Sequence, residues 1–97
     1  MSRNRFAANI DKNQPEIVKE LRKIPGVQVE LNHDDILVGY NGMTFWYELK
    51  NEDSVSKKTG KIRQSAKKES QIKLENEWTG HYRIVSSLQD ILDDLFS

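Results

Sequence analysis

Apolar residues recur along this chain with two different periods, and the switches between them mark its elements. Ile17, Val18, Leu21 and Ile24 are spaced three or four apart, so they form one stripe of a helix running from Gln14 to Ile24. Asn13 is placed to cap it, with Glu16 three positions on in capping-box spacing, and Pro25-Gly26 ends it. From Val27 to Leu31 the sequence alternates Val-Gln-Val-Glu-Leu, the period of a strand with one buried face. Two further strands, Asp35 to Tyr40 and Met43 to Lys50, flank Asn41-Gly42, which favours a two-residue hairpin because both positions need positive φ. Glu52 to Gly60 is polar and unpatterned and reads as a flexible loop. A second helix is expected over Gln64 to Thr79, with Leu74 and Trp78 on one face and Gly80 as its stop. Tyr82 to Ser86 reads as a fourth strand. Ser87 then caps a last helix whose Leu88, Ile91, Leu92 and Leu95 share a face.

The expected order is α-β-β-β-α-β-α, an α/β chain in one domain over residues 1–97, beginning with an irregular arm over 1–12. The crossover helix between the third and fourth strands makes that pair parallel, so the sheet is mixed. The hairpin also fixes a register. If Tyr40 faces Met43, then Val38 faces Phe45 and Ile36 faces Tyr47, which puts six apolar or aromatic side chains on one face. The other face pairs Gly39 with Thr44, Leu37 with Trp46, and Asp35 with Glu48. Two carboxylates directly opposite, with Cβ atoms about 4.5–5.5 Å apart, repel unless something neutralises them. Lys50 follows on the same face by period-two alternation, while Leu49 points into the core.

Composition narrows what could neutralise that pair. There are no cysteines and only two histidines, His33 and His81, so a metal site must be built from oxygens, which favours Mg²⁺ or Mn²⁺. The lack of cysteine also fits a reducing cytoplasm. No apolar run approaches the ~20 residues needed to span a bilayer, and the N-terminus lacks a signal-peptide pattern, so no membrane association is expected. The net charge is zero, yet Lys57, Lys58, Lys61, Arg63, Lys67 and Lys68 form a run without an acid. The basic loop over 52–63 and the residues after it can contact phosphates, or can be a solvated surface.

Asp, Glu and Lys converging on one spot suit hydrolysis of a phosphodiester: a cation held by Asp35, Glu48 and the Leu49 carbonyl polarises the phosphate, and Lys50 stabilises developing charge or positions water. The run Asp35-Ile-Leu-Val-Gly-Tyr-Asn-Gly-Met-Thr-Phe-Trp-Tyr-Glu48-Leu-Lys50 resembles the central motif of the PD-(D/E)XK nuclease superfamily. It is most like the small stand-alone VRR-NUC proteins of phages and the archaeal Holliday-junction resolvases. The likeness extends from Asp11 to Leu95: Asp11 to Arg22 resembles the family's first helix, and Gln71, Leu74, Trp78 and Gly80 resemble its second. The resemblance implies a restriction-endonuclease-like αβββαβ core with a C-terminal helix. It also implies a Mg²⁺- or Mn²⁺-dependent DNA endonuclease, working as a homodimer on branched or structured DNA.

Three positions depart from the family pattern. Asp34 stands where proline is usual, Gln14 where a metal-binding glutamate is common, and the basic loop is longer. Gln14 could still reach the metal through a water, or Glu16 could replace it. Gln71, on the inward face of the second helix, could hydrogen-bond Lys50 or the attacking water, or serve a backbone partner. His33 and Asp34 read as exposed turn residues, and Trp46 as packed beneath a helix. A nucleic-acid-binding protein that does not cut is the alternative on the same scaffold. A plain interaction module would leave the facing acids unexplained.

Overall fold

Asn41 and Gly42 both adopt positive φ, 55° and 79°, and the hairpin they close has the register the sequence dictates. The computed structural model describes residues 13–32 and 35–97; the expected arm over 1–12, together with His33 and Asp34, lies outside the described residues. Four strands, β1 (Val27–Asn32), β2 (Asp35–Tyr40), β3 (Met43–Leu49) and β4 (Tyr82–Val85), form one sheet in the order β1-β2-β3-β4. The first two pairings are antiparallel and β3 with β4 is parallel. Helices α1 (Gln14–Arg22), α2 (Glu69–Glu77) and α3 (Leu88–Leu95) complete the α-β-β-β-α-β-α order. The chain is thus a mixed α/β fold with a C-terminal helix, and none of its described helices is long and apolar enough to cross a membrane.

One face of the sheet carries the core. Val27, Val29, Ile36, Val38, Phe45, Tyr47, Leu49 and Val85 are buried there against Ile17, Val18 and Leu21 of α1 and Ile91 and Leu95 of α3. Met43 is the exception to the expected apolar face. It lies at the hairpin tip and is 55% exposed, where neither helix reaches it. Ser87 caps α3 as expected, its Oγ accepting from the Asp90 N–H at 3.1 Å.

Three local expectations are corrected. Asn13 does not cap α1: its own backbone is helical, and its side chain donates instead to the carbonyls of Ser86 (2.9 Å) and Lys50 (3.3 Å). Those two long-range bonds satisfy strand-end carbonyls that a local cap would leave unmet. The second helix does not start at Gln64. A 3₁₀ turn at Gln64–Ala66 is followed by extended backbone at Lys67 and Lys68, and α2 begins at Glu69. Gly80 is not a left-handed helix stop, because α2 already ends at Glu77 and Gly80 does not have positive φ. It is needed for proximity: a Cβ there would lie 2.7 Å from Nε1 of Trp78.

The basic loop has its own architecture. Val55 bridges Ile62 antiparallel, Ser56 N–H bonds Lys61 O at 2.8 Å, and Arg63 N–H bonds Ser54 O at 2.8 Å. Gly60 turns this small hairpin with φ of 72°, a conformation that glycine adopts without cost. The polar composition hides the pairing because Val55 and Ile62 are the only apolar pair in it.

A polar cluster around the buried Tyr47 pins α3 to the sheet. The Tyr47 hydroxyl donates to Asp94 Oδ2 at 2.6 Å, and the same carboxylate meets His81 Nε2 at 2.7 Å and Arg83 Nε at 3.3 Å. Burial, then the bond to Asp94, pushes the Tyr47 hydroxyl pKa far above its ordinary value. A raised folded-state pKa means this contribution to stability is complete below the unfolded value of about 10 and is lost as pH rises beyond it. Urea unfolding of the wild type should therefore show stability falling above about pH 10, by up to ~1.4 kcal/mol per pH unit from this residue. Tyr47→Phe should be less stable at pH 8 but fall less steeply between pH 10 and 11. Equal slopes in the two proteins would contradict the assignment.

Candidate functional site

Asp35 begins β2 and Glu48 lies near the end of β3, and the two are direct register partners. The pairing puts both on the face opposite the main core, which Trp46 and Trp78 also occupy. Glu48 is 4% exposed, and Lys50 Nζ lies 3.9 Å from its Oε2, at the outer limit of an ion pair. Lys50 is itself mostly buried, so Glu48 and the ammonium beside it share a partly desolvated region at this end of the sheet.

Asp35 has a partner that the sequence reading did not assign. Trp46 Nε1 donates to Asp35 Oδ2 at 2.9 Å, while Asp35 Oδ1 is buried without a hydrogen-bond partner. Trp46 pairs with Leu37, two residues from Asp35 on the same face, and such diagonal neighbours lie within reach of a large ring. The register already contained that signal. The ring itself is packed not beneath a helix but against Trp78, just past the end of α2, and Tyr82 of β4.

The start of α1 is tied to the same end of the sheet by the bonds from Asn13 to Lys50 and Ser86. Gln14, next along, is 5% exposed, and its Oε1 is buried without a partner. Glu16 is exposed. Gln14 is therefore the polar side chain of α1 that is turned inward.

Gln71 is buried, but its Oε1 accepts the Lys68 N–H at 2.9 Å, closing the first turn of α2. One lone pair of the Gln71 oxygen is thus engaged, and its second lone pair and its amide N–H groups are what Gln71 can offer a site. The six basic residues also divide. Arg63 donates to the carbonyls of Asp53 and Val55 and clamps the small hairpin. Lys67 pairs with both carboxylate oxygens of Glu75, at 2.9 and 3.0 Å. Lys57, Lys58, Lys61 and Lys68 are exposed, and among the described residues no ion pair holds them.

Among the described residues no group of three or more His, Asp and Glu side chains is placed to hold a metal ion. A cation here would instead need Asp35 and Glu48 supplemented by amide, carbonyl or solvent oxygens. Asp35 Oδ1 is an orphaned buried oxygen at this pair, and Gln14 Oε1, at the start of α1, is another. Both are hard acceptors, and leaving a buried acceptor unmet costs about 1–3 kcal/mol. This donor set suits Mg²⁺ or Mn²⁺, which take oxygen ligands and keep several waters. No protein-family model matches the chain, and no curated protein or solved structure matches it significantly.

Proposed function

We propose that this protein is a Mg²⁺- or Mn²⁺-dependent endodeoxyribonuclease of the PD-(D/E)XK kind. The observation that carries the reading is the Asp35–Glu48 pair, with Lys50 beside it and Asp35 Oδ1 unmet. Two acids facing each other beside a single ammonium leave one negative charge in a partly buried setting, which a divalent cation would offset.

Asp35 and Glu48 would hold the cation, with the Leu49 carbonyl and Gln14, the latter directly or through water, completing its oxygen set. When bound, the cation supplies Lewis acidity at the phosphate and offsets the two carboxylates. The Lys50 ammonium would stabilise charge on the phosphate oxygens as water, losing a proton to solvent, attacks phosphorus and the bond to the leaving ester oxygen breaks, that oxygen taking up a proton from solvent. Gln71, whose oxygen also closes the first turn of α2, would add a hydrogen bond to Lys50 or to the attacking water. Branched or structured DNA is the proposed substrate and the cytoplasm the proposed setting. A homodimer would place two such centres to cut two strands. Incubating the protein with linear, nicked and four-way DNA in Mn²⁺ should nick at least the four-way substrate. No cleavage of any of the three would defeat the proposal.

Gln14, in place of a charged ligand, favours a second reading: a protein that binds nucleic acid without cutting it. Under that reading the carboxylates are dispensable for function while the basic hairpin is not. Lys57, Lys58 and Lys61 serve binding under both. Replacing all three with alanine should weaken DNA binding across sequences and flatten the dependence of log affinity on log salt by up to about 3 units. Fluorescence anisotropy across a salt series measures both, and an unchanged slope would show that the hairpin does not touch phosphates.

A further inference from the structure

We infer that Trp46 is a positioning residue for Asp35, fixing which carboxylate oxygen is offered to the cation; this rests on the reading of Asp35 and Glu48 as a cation site. The indole N–H is a donor only, and it is committed to Asp35 Oδ2 at 2.9 Å. The other oxygen, Oδ1, is buried with no partner. A carboxylate free to turn could present either oxygen or both. With one lone pair of Oδ2 held by the indole and the carboxylate kept from turning, Oδ1 is the oxygen with both lone pairs open to a cation.

The indole is itself held in place. It meets Trp78 edge to face with ring centroids 5.4 Å apart, and Tyr82, its register partner on β4, at 4.9 Å. The chain at Gly80 runs so close to the Trp78 indole that a Cβ would lie 2.7 Å from Nε1. Gly80 therefore backs Trp78, Trp78 backs Trp46, and Trp46 orients Asp35. This gives the Gly80 backbone and the end of α2 a bearing on the site that no direct contact supplies. Groups that orient a ligand in this way change metal affinity by about 10- to 100-fold when removed.

Packing alone would explain the aromatic rings, so the test separates the N–H from the ring. Mn²⁺ binding is measured by calorimetry on the wild type, Trp46→Phe and Trp78→Ala. Trp46→Phe keeps a ring against Trp78 and Tyr82 but lacks the donor, and it should weaken Mn²⁺ binding by about 10-fold or more. Trp78→Ala removes a ring contact and leaves the donor, so its loss should be several-fold smaller. Wild-type affinity in Trp46→Phe, or equal losses in the two variants, would overturn the positioning role and leave the cation site standing. A wild-type protein that binds no Mn²⁺ would overturn both. A second measurement needs neither metal nor a folded Trp46→Phe protein. The Trp46 indole N–H should exchange with solvent more slowly than that of Trp78, which is 50% exposed, and Asp35→Ala should speed it. Exchange at Trp46 that ignores Asp35→Ala would also overturn the inference.

Discussion

Asp35→Ala and Glu48→Ala should each lower the rate of DNA cleavage by about 10³-fold or more, with the fold retained. Each removes one of the two charged oxygen donors proposed for the cation, and tenfold in rate corresponds to only ~1.4 kcal/mol of lost charge stabilisation. Lys50→Ala should cost about 10²–10³-fold, the scale seen when one donor to a developing oxyanion is removed. Apo stability should change little in Asp35→Ala, because losing the Trp46 hydrogen bond is offset by relief of the repulsion with Glu48. Gel-based single-turnover cleavage, with circular dichroism on the same samples, measures both quantities. Wild-type rates in Asp35→Ala and Glu48→Ala would show that the chemistry, if present, lies elsewhere.

The largest effect on stability is expected from Leu21→Ala. Leu21 is fully buried between α1 and the sheet, in the cluster that also holds Ile17, Ile36, Val38 and Ile91. Truncating a leucine in such a place loses its transfer free energy and leaves a cavity, about 2–5 kcal/mol in all. Against the ~5–15 kcal/mol that stabilises a typical domain, this is a large share. The urea midpoint should fall with an unchanged m-value, and Tm should drop by about 10 °C or more. A loss below about 1 kcal/mol would contradict the packing of α1 against the sheet. The site would be affected as well, since Asn13, at the head of α1, is bonded to the Lys50 carbonyl just past β3.

The central hairpin was legible because its turn chemistry and its alternation agree. Asn41-Gly42 fixes the loop, the loop fixes the register, and the register brings Asp35 opposite Glu48 and sends Leu49 inward. The parallel β3–β4 pair followed from the crossover helix. What the sequence hid were uses of polar side chains over long range. Asn13 has the composition of a cap, but its bonds go to residues 37 and 73 positions away, which no local pattern encodes. Gln71 lies on the inward face as expected, yet its oxygen closes the α2 terminus that it shares with Lys68. The pairing of Val55 with Ile62 escaped because a single apolar pair makes no alternation. Lys67 and Arg63 looked equivalent to their neighbours until Glu75 and the Asp53 and Val55 carbonyls were placed beside them.

The central claim is that Asp35 and Glu48 together hold a divalent cation. Anomalous diffraction from crystals soaked in Mn²⁺ tests it without reference to any DNA substrate. The account predicts a peak lying against both carboxylates in the wild type and lost in Asp35→Ala. No peak at that pair in the wild type, or a peak there that persists in Asp35→Ala, would contradict it.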